Sequence, residues 1–172
     1  MDTLSLPITP TTTQYPPDFV AAVGQVLSFE GGLSEDSDDP GGVTKYGISQ
    51  RSYPGEDIRH LTQERAIQIY YEDWWSHNNY GCIGNPQLAA KVFLLAANMG
   101  HKAAVRLLQR ASNQVGPYLI VEDGFLGLKT FEAVGMCNPG ILLDRLKLLA
   151  VGYYLDLRKP KYLAGWIRRA IA

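Results

Sequence analysis

The segment NPQLAAKVFLLAANMG, residues 85–100, constrains the fold more than any other stretch of the chain. Asn85 is a strong N-cap type, Pro86 suits a first helical turn, and Gly100 supplies a stop. Between these signals the helix is apolar nearly all round. A helix with one apolar stripe lies on a core, whereas one that is apolar on every side lies inside it. The pattern therefore predicts a central buried helix with the rest of the chain packed around it.

The neighbouring segments carry the one-sided faces that such packing needs. Pro16-Pro17-Asp18 opens a helix with Phe19, Val23, Val26 and Phe29 on one side, and Gly31-Gly32 ends it. Thr62 caps a helix striped by Ile67, Tyr70, Tyr71, Trp74 and Trp75 at 3-4-3-4 spacing. Residues 101–116 are amphipathic through Val105, Leu108 and Ser112, and a turn at Asp123-Gly124 leads into a short helix. A long amphipathic helix starts at Pro139, and a basic one closes the chain. Residues 33–48 hold too much Asp and Gly for a helix and read as a loop or short β-hairpin. The expectation is a mainly α single domain of six or seven helices, with a small β-hairpin after the first helix. The Thr- and Pro-rich residues 1–17 read as a flexible N-terminal arm, and residues 18–172 as the domain.

Charge and composition exclude several classes. The formal net charge is −1 over 172 residues, with no block of like charges, so nucleic acid is not an expected partner. No run approaches the ~18 apolar residues of a spanning helix, so no membrane insertion is expected. The start of the chain, MDTLSLPITPTTTQYPPD, has no basic n-region and no long apolar run, and does not read as a signal peptide. The chain is expected to be made in the cytoplasm. Cys82 and Cys137 read as free thiols, and His60, His77 and His101 are isolated along the chain. With no CxxC or HExxH, a metal site is not expected.

The chemistry concentrates in FEGGLSEDSDDPGGVTKYGI, residues 29–48. Glu30 follows Val26 by four residues and Val23 by seven, so on a helix it shares their face. At a helix C-terminus the dipole disfavours negative charge, and partial desolvation acts in the same direction. A carboxyl kept protonated near neutral pH can protonate a leaving-group oxygen, as cleavage of a glycosidic bond requires. Most helix-terminal glutamates are merely solvated, so it is the following residues that sharpen the reading. Asp36 or Asp39 stands where it can stabilise a cationic sugar ring or orient a water. Such acids equally serve turns by bonding their own backbone. Gly42 belongs to the tight turn Asp39-Pro40-Gly41-Gly42, and Thr44 follows with a hydroxyl suited to holding a water. A calcium loop opening at Asp36 fails, since Gly47 stands at the twelfth position where glutamate is needed. Tyr46, Tyr70 and Trp74 are candidate platforms for the apolar faces of sugars, although helical spacing also suits Tyr70 and Trp74 to the core.

These residues resemble the signature of the glycoside hydrolase family 108 muramidases. There Glu-Gly-Gly-Tyr precedes Asp-Pro-x-Asp-Pro-Gly-Gly-x-Thr-x-x-Gly-Ile. The likeness continues through AIQIYYEDWW, residues 85–111, VEDGFLGLKTFEAV and residues 145–170, and covers about residues 18–170. The region from about 100 to 172 is similar to a predicted peptidoglycan-binding region, expected to pack in the same globule. The resemblance implies a lysozyme-like fold and hydrolysis of the β-1,4 bond between N-acetylmuramic acid and N-acetylglucosamine. The catalytic glutamate falls on Glu30, the two motif aspartates on Asp36 and Asp39, and the threonine on Thr44. Lytic transglycosylation of the same bond, or wall binding without cleavage, are the rival readings. Leu33 stands where the family has tyrosine, and Asp36-Ser37 where it has Asp-Pro. No cofactor is implied. The expected partner is the glycan of bacterial peptidoglycan, met by a monomer in the periplasm after release through a holin or delivery by a secretion machinery.

Overall fold

A computed structural model describes residues 14–29, 32–34 and 42–172. The candidates Glu30, Asp36 and Asp39 lie outside the described residues, as do residues 1–13 of the expected arm. Among the described residues the chain forms seven α-helices and one two-stranded antiparallel sheet.

Helix α1 runs Pro17–Phe29 and turns Phe19, Ala22, Val23 and Val26 into the core. Ahead of it, the Tyr15 ring packs on Phe19 and Tyr71 at centroid distances of 5.4 and 4.9 Å. Strands β1 (Thr44–Lys45) and β2 (Ile48–Ser49) pair Thr44 with Ser49 and Lys45 with Ile48.

Helix α2, Gln63–Ile69, starts where Thr62 Oγ1 accepts a hydrogen bond from Arg65 N at 3.2 Å. It does not continue as a plain α-helix. Residues Tyr70–Ser76 widen into a π-helix. The physical reason lies in the ring pairs Tyr70-Tyr71 and Trp74-Trp75. With an i→i+5 repeat, Tyr70 and Trp75 come to one face, and both are buried. Tyr71 and Trp74 are left half-buried at the flanks.

Helix α3, Pro86–Met99, is the centre of the molecule. Asn85 Oδ1 caps Leu88 N at 2.9 Å, and every residue from Leu88 to Ala96 is buried. Phe93 is the hub of an aromatic cluster. Tyr70, Trp75 and Tyr80 meet it edge-on at 5.3–5.8 Å, and Phe19 at 6.2 Å. Gly100, at φ +89°, turns the chain directly into α4, His101–Val115. Helices α5 (Leu128–Gly135), α6 (Pro139–Asp156) and α7 (Pro160–Ile171) follow. Asn138 caps α6, and Leu142, Leu146, Ala150 and Tyr154 form its buried stripe at i, i+4 spacing. Helix α3 is covered by α1 on one side and by α4, α6 and α7 on others, so one continuous hydrophobic core runs from Phe19 to Ala170.

Candidate active site

The site is framed by the end of α1 and the β-hairpin. Helix α1 delivers the chain to Phe29 with its apolar face locked into the core. Its last carbonyls have no partner within the helix. One of them, Phe29 O, accepts a hydrogen bond from Arg169 Nη2 at 3.3 Å, and the Arg169 guanidinium lies 5.8 Å from the Phe29 ring centroid. A cation from α7 thus seals the end of the first helix.

The backbone then returns to a fixed point. Ser34 N donates to Thr44 O at 2.8 Å, and Thr44 N donates to Ser34 O at 2.9 Å. This antiparallel bridge adds Ser34 to the edge of the hairpin. Thr44 is therefore held on both sides, by Ser34 and by Ser49. Its hydroxyl makes one long contact, 3.5 Å, to the carbonyl of Gly42. Gly42 has φ +71°, a conformation that an L side chain adopts only with strain.

Tyr46 and Gly47 form the hairpin turn, with φ of +53° and +78°. Two positive φ values in succession match the twist of the flanking strands. The turn is tied to the helical body from below, where Tyr70 Oη donates to Tyr46 O at 3.0 Å. Lys45 Nζ bonds Arg59 O at 3.1 Å and lies 5.6 Å from the Tyr46 ring centroid. The Tyr46 ring is half-buried at this edge.

The other aromatics divide. Tyr70 is 1% exposed, so its ring belongs to the core and reaches the site through its hydroxyl. Trp74 is half-buried and donates from Nε1 to Tyr53 Oη at 3.0 Å. Burial holds the Tyr53 phenol above its ordinary pKa, so it stays protonated and fixed beside Trp74. The connector carrying Tyr53 is pinned by Gln50, whose amide nitrogen donates to the carbonyls of Tyr53, Pro54 and Glu56. Glu56 in turn pairs with Arg65, whose hydrogen bonds hold that carboxyl below the usual range.

Of the sequence candidates, the structure brings Gly42, Thr44, Tyr46 and Tyr70 into one bonded unit, with Trp74 stacked edge-on to Tyr70 at 6.1 Å. Sequence reading did not find Tyr53 as the partner of Trp74, nor Arg169 as the seal of α1. Tyr53 was legible as one more aromatic near the hairpin. Arg169 carried no such signal, since 140 residues separate it from Phe29. Among the described residues no group of three His, Cys, Asp or Glu side chains gathers to hold a metal ion. Nor is any described helix long and apolar enough to cross a membrane. Cys82 is exposed and Cys137 buried, and both are free.

Comparison with known proteins agrees with this architecture. Residues 23–100 match the family model for glycosyl hydrolase 108, and residues 103–171 match that for a predicted peptidoglycan domain. No curated protein sequence matches the chain. Among solved structures, SagA of Brucella abortus superposes with a TM-score of 0.73 at 25% identity, over 88% of each chain. The fold is lysozyme-like. The match over residues 23–100 to glycosyl hydrolase 108, and the peptidoglycan domain that follows it, together support a peptidoglycan hydrolase of that kind.

Proposed function

We propose that the chain hydrolyses the β-1,4 bond between N-acetylmuramic acid and N-acetylglucosamine, with Glu30 as the general acid. The observation that carries this reading is the Ser34–Thr44 bridge, which follows the sealed end of α1 within a few residues of sequence. Glu30 is the residue next in sequence after Phe29, whose carbonyl Arg169 holds. Asp36 and Asp39 fall in the sequence between the two residues that the bridge ties together. All three lie inside the segment matched by the glycosyl hydrolase model.

In this reading Glu30 protonates the bridging oxygen as the bond to the muramic acid ring lengthens. Positive charge develops on that ring, and Asp39 or Asp36 faces it. A water held with help from the loosely bonded Thr44 hydroxyl completes the cleavage. The Tyr46 ring, at the edge of the hairpin, offers a surface for a neighbouring sugar. Tyr70 acts through its hydroxyl, by fixing the turn that carries Tyr46.

Digestion of purified peptidoglycan by wild type and by Glu30→Gln, followed by reduction and mass analysis, tests the proposal. The expected result is new reducing ends on muramic acid and a loss of at least ~100-fold in the variant. Products lighter by one water would replace hydrolysis with transglycosylation. Undiminished digestion by the variant would remove Glu30 from the mechanism.

A further inference from the structure

The loop between α4 and α5 is built in an unusual way. Three polar side chains of α4 hold it from beneath. Gln109, 1% exposed, donates to Asp123 Oδ1, Phe125 O and Thr130 Oγ1, and accepts from Gly124 N at 2.8 Å. Asn113 exchanges hydrogen bonds with the backbone of Ile120 at 2.8 and 2.9 Å, and Arg110 pairs with Glu122 at 2.8 Å. Gly124 has φ +78°, and a Cβ there would fall 2.6 Å from Lys102 Cγ, so the loop also lies tightly against α4. Yet this pinned loop points apolar groups at water. Leu119, Val121, Phe125 and Leu128 are 72–82% exposed. Loops that are free to move bury such groups, and a buried polar scaffold that keeps them outside marks a preorganised binding surface.

The surface is concave. One pocket of about 520 Å³ lies between the loop and the start of α5, rimmed by Leu119, Phe125 and Leu128. A second, of about 320 Å³, adjoins it across Ile120 and Lys129 and reaches Tyr118 and Met136. Together they form an elongated groove along α5. Its lining is mostly apolar, with one cation, Lys129, and two anions, Glu132 a helical turn from it and Asp123 of the loop. Its polar floor, Gln109 with Asp123 and Thr130, is engaged within the protein.

We infer that this groove binds the peptide stem of peptidoglycan. The whole groove lies inside the region matched by the peptidoglycan domain, and its chemistry selects which part of that polymer fits. A glycan strand presents hydroxyl groups all along its length, whereas these walls offer polar partners only at a few points beside a mostly apolar lining. A stem alternates alanine methyl groups with the free carboxylate of an isoglutamyl residue, and commonly carries the amine of a diamino acid. Methyl groups suit the apolar walls, the carboxylate suits Lys129, and the amine suits Glu132. The groove would then hold the wall by its peptides while the cleft works on its sugars. This rests on peptidoglycan as the substrate but not on Glu30 as the acid.

The test is co-sedimentation of the full chain with intact sacculi and with sacculi stripped of stems by an amidase. The variants are Lys129→Glu and Phe125→Ser, both at exposed positions. Wild type is expected to bind intact sacculi about 5–10-fold more tightly than stripped ones, the net worth of one ordinary hydrogen bond. Both variants should lose that difference and keep wild-type affinity for stripped sacculi, and isolated stem peptide should compete for wild type alone. Equal binding to the two preparations, or variants that bind intact sacculi as wild type does, would overturn the inference. So would variants that change the molar mass in light scattering and leave sacculus binding intact, since the groove would then join two copies. Release of reducing ends from stem-free glycan reads the hydrolase separately, so the two proposals fail independently.

Discussion

Lys91 is 3% exposed, in the middle of the apolar run of α3. Its Nζ donates to Arg169 O at 3.0 Å, near the end of α7. Burial, with a smaller contribution from Lys147, lowers its pKa from 10.5 to about 8. The folded chain thus holds this proton more weakly than the unfolded chain does. Between pH 8 and 10.5 unfolding takes up a proton, so the cost of charging Lys91 in the fold fades and stability rises with pH. The full effect of such a shift is on the order of 3 kcal/mol. The comparison with Lys91→Met isolates the contribution of this one group. Urea unfolding at a series of pH values should show wild type gaining stability relative to the variant from pH 8 to 10.5. A constant difference would mean that the Lys91 charge is solvated. In the sequence Lys91 was visible as the charge in an apolar helix, but its acceptor lies 78 residues further on, where no periodicity points.

At the scale of elements, the hairpin and the π-helical turn are one device. A 3-4-3-4 aromatic stripe says which side of a helix faces inward. It does not say which rings stop at the core and which reach the rim. Widening of the turn at Tyr70 decides this, by drawing Tyr70 and Trp75 fully inside and leaving Trp74 to Tyr53. The cap at Thr62 was legible, because it rests on local chemistry, a hydroxyl before a first turn, whereas the turn at Tyr46-Gly47 was not singled out within the loop or hairpin read over residues 33–48. The tie between the two elements, Tyr70 Oη to Tyr46 O, is tertiary and left no local trace. Tyr70→Phe should leave the aromatic cluster packed and remove that tie. Expected is a loss of ~1 kcal/mol in overall stability and faster amide exchange at the hairpin, with α3 amides slowed or sped only by the global change. Exchange followed by NMR checks it. A hairpin protected as in wild type would show that the strands hold the turn unaided.

For the whole molecule, the question is whether the two matched regions are separable. The family models divide the chain between residues 100 and 103, which is where α3 ends and α4 begins. The physics of α3 argues against a division there. Its buried face runs all the way round, and the second half of the chain supplies α4, α6 and α7 against it. The apolar run at 85–100 announced this in the sequence, since a helix with no polar side cannot lie at the edge of a self-sufficient unit. What the sequence left out was the return path. Helix α7 is fastened to the first half by Arg169 on Phe29 O and by Lys91 on Arg169 O, while Lys147 of α6 holds Ile171 O at 3.0 Å. The end of α1 therefore depends on the last helix of the chain. A fragment of residues 1–102 would keep the hairpin, the aromatic hub and the glycosyl hydrolase match, but would expose the far side of α3 to water. Uncovering residues such as Leu94, Leu95 and Val92 costs on the order of 2 kcal/mol each, and a 5–15 kcal/mol margin does not survive several such losses. The fragment is expected to show helical far-UV circular dichroism, a broad non-cooperative urea transition and no activity on peptidoglycan. A sharp two-state transition in the fragment would show instead that the first half folds alone, with α4, α6 and α7 docked onto a finished core.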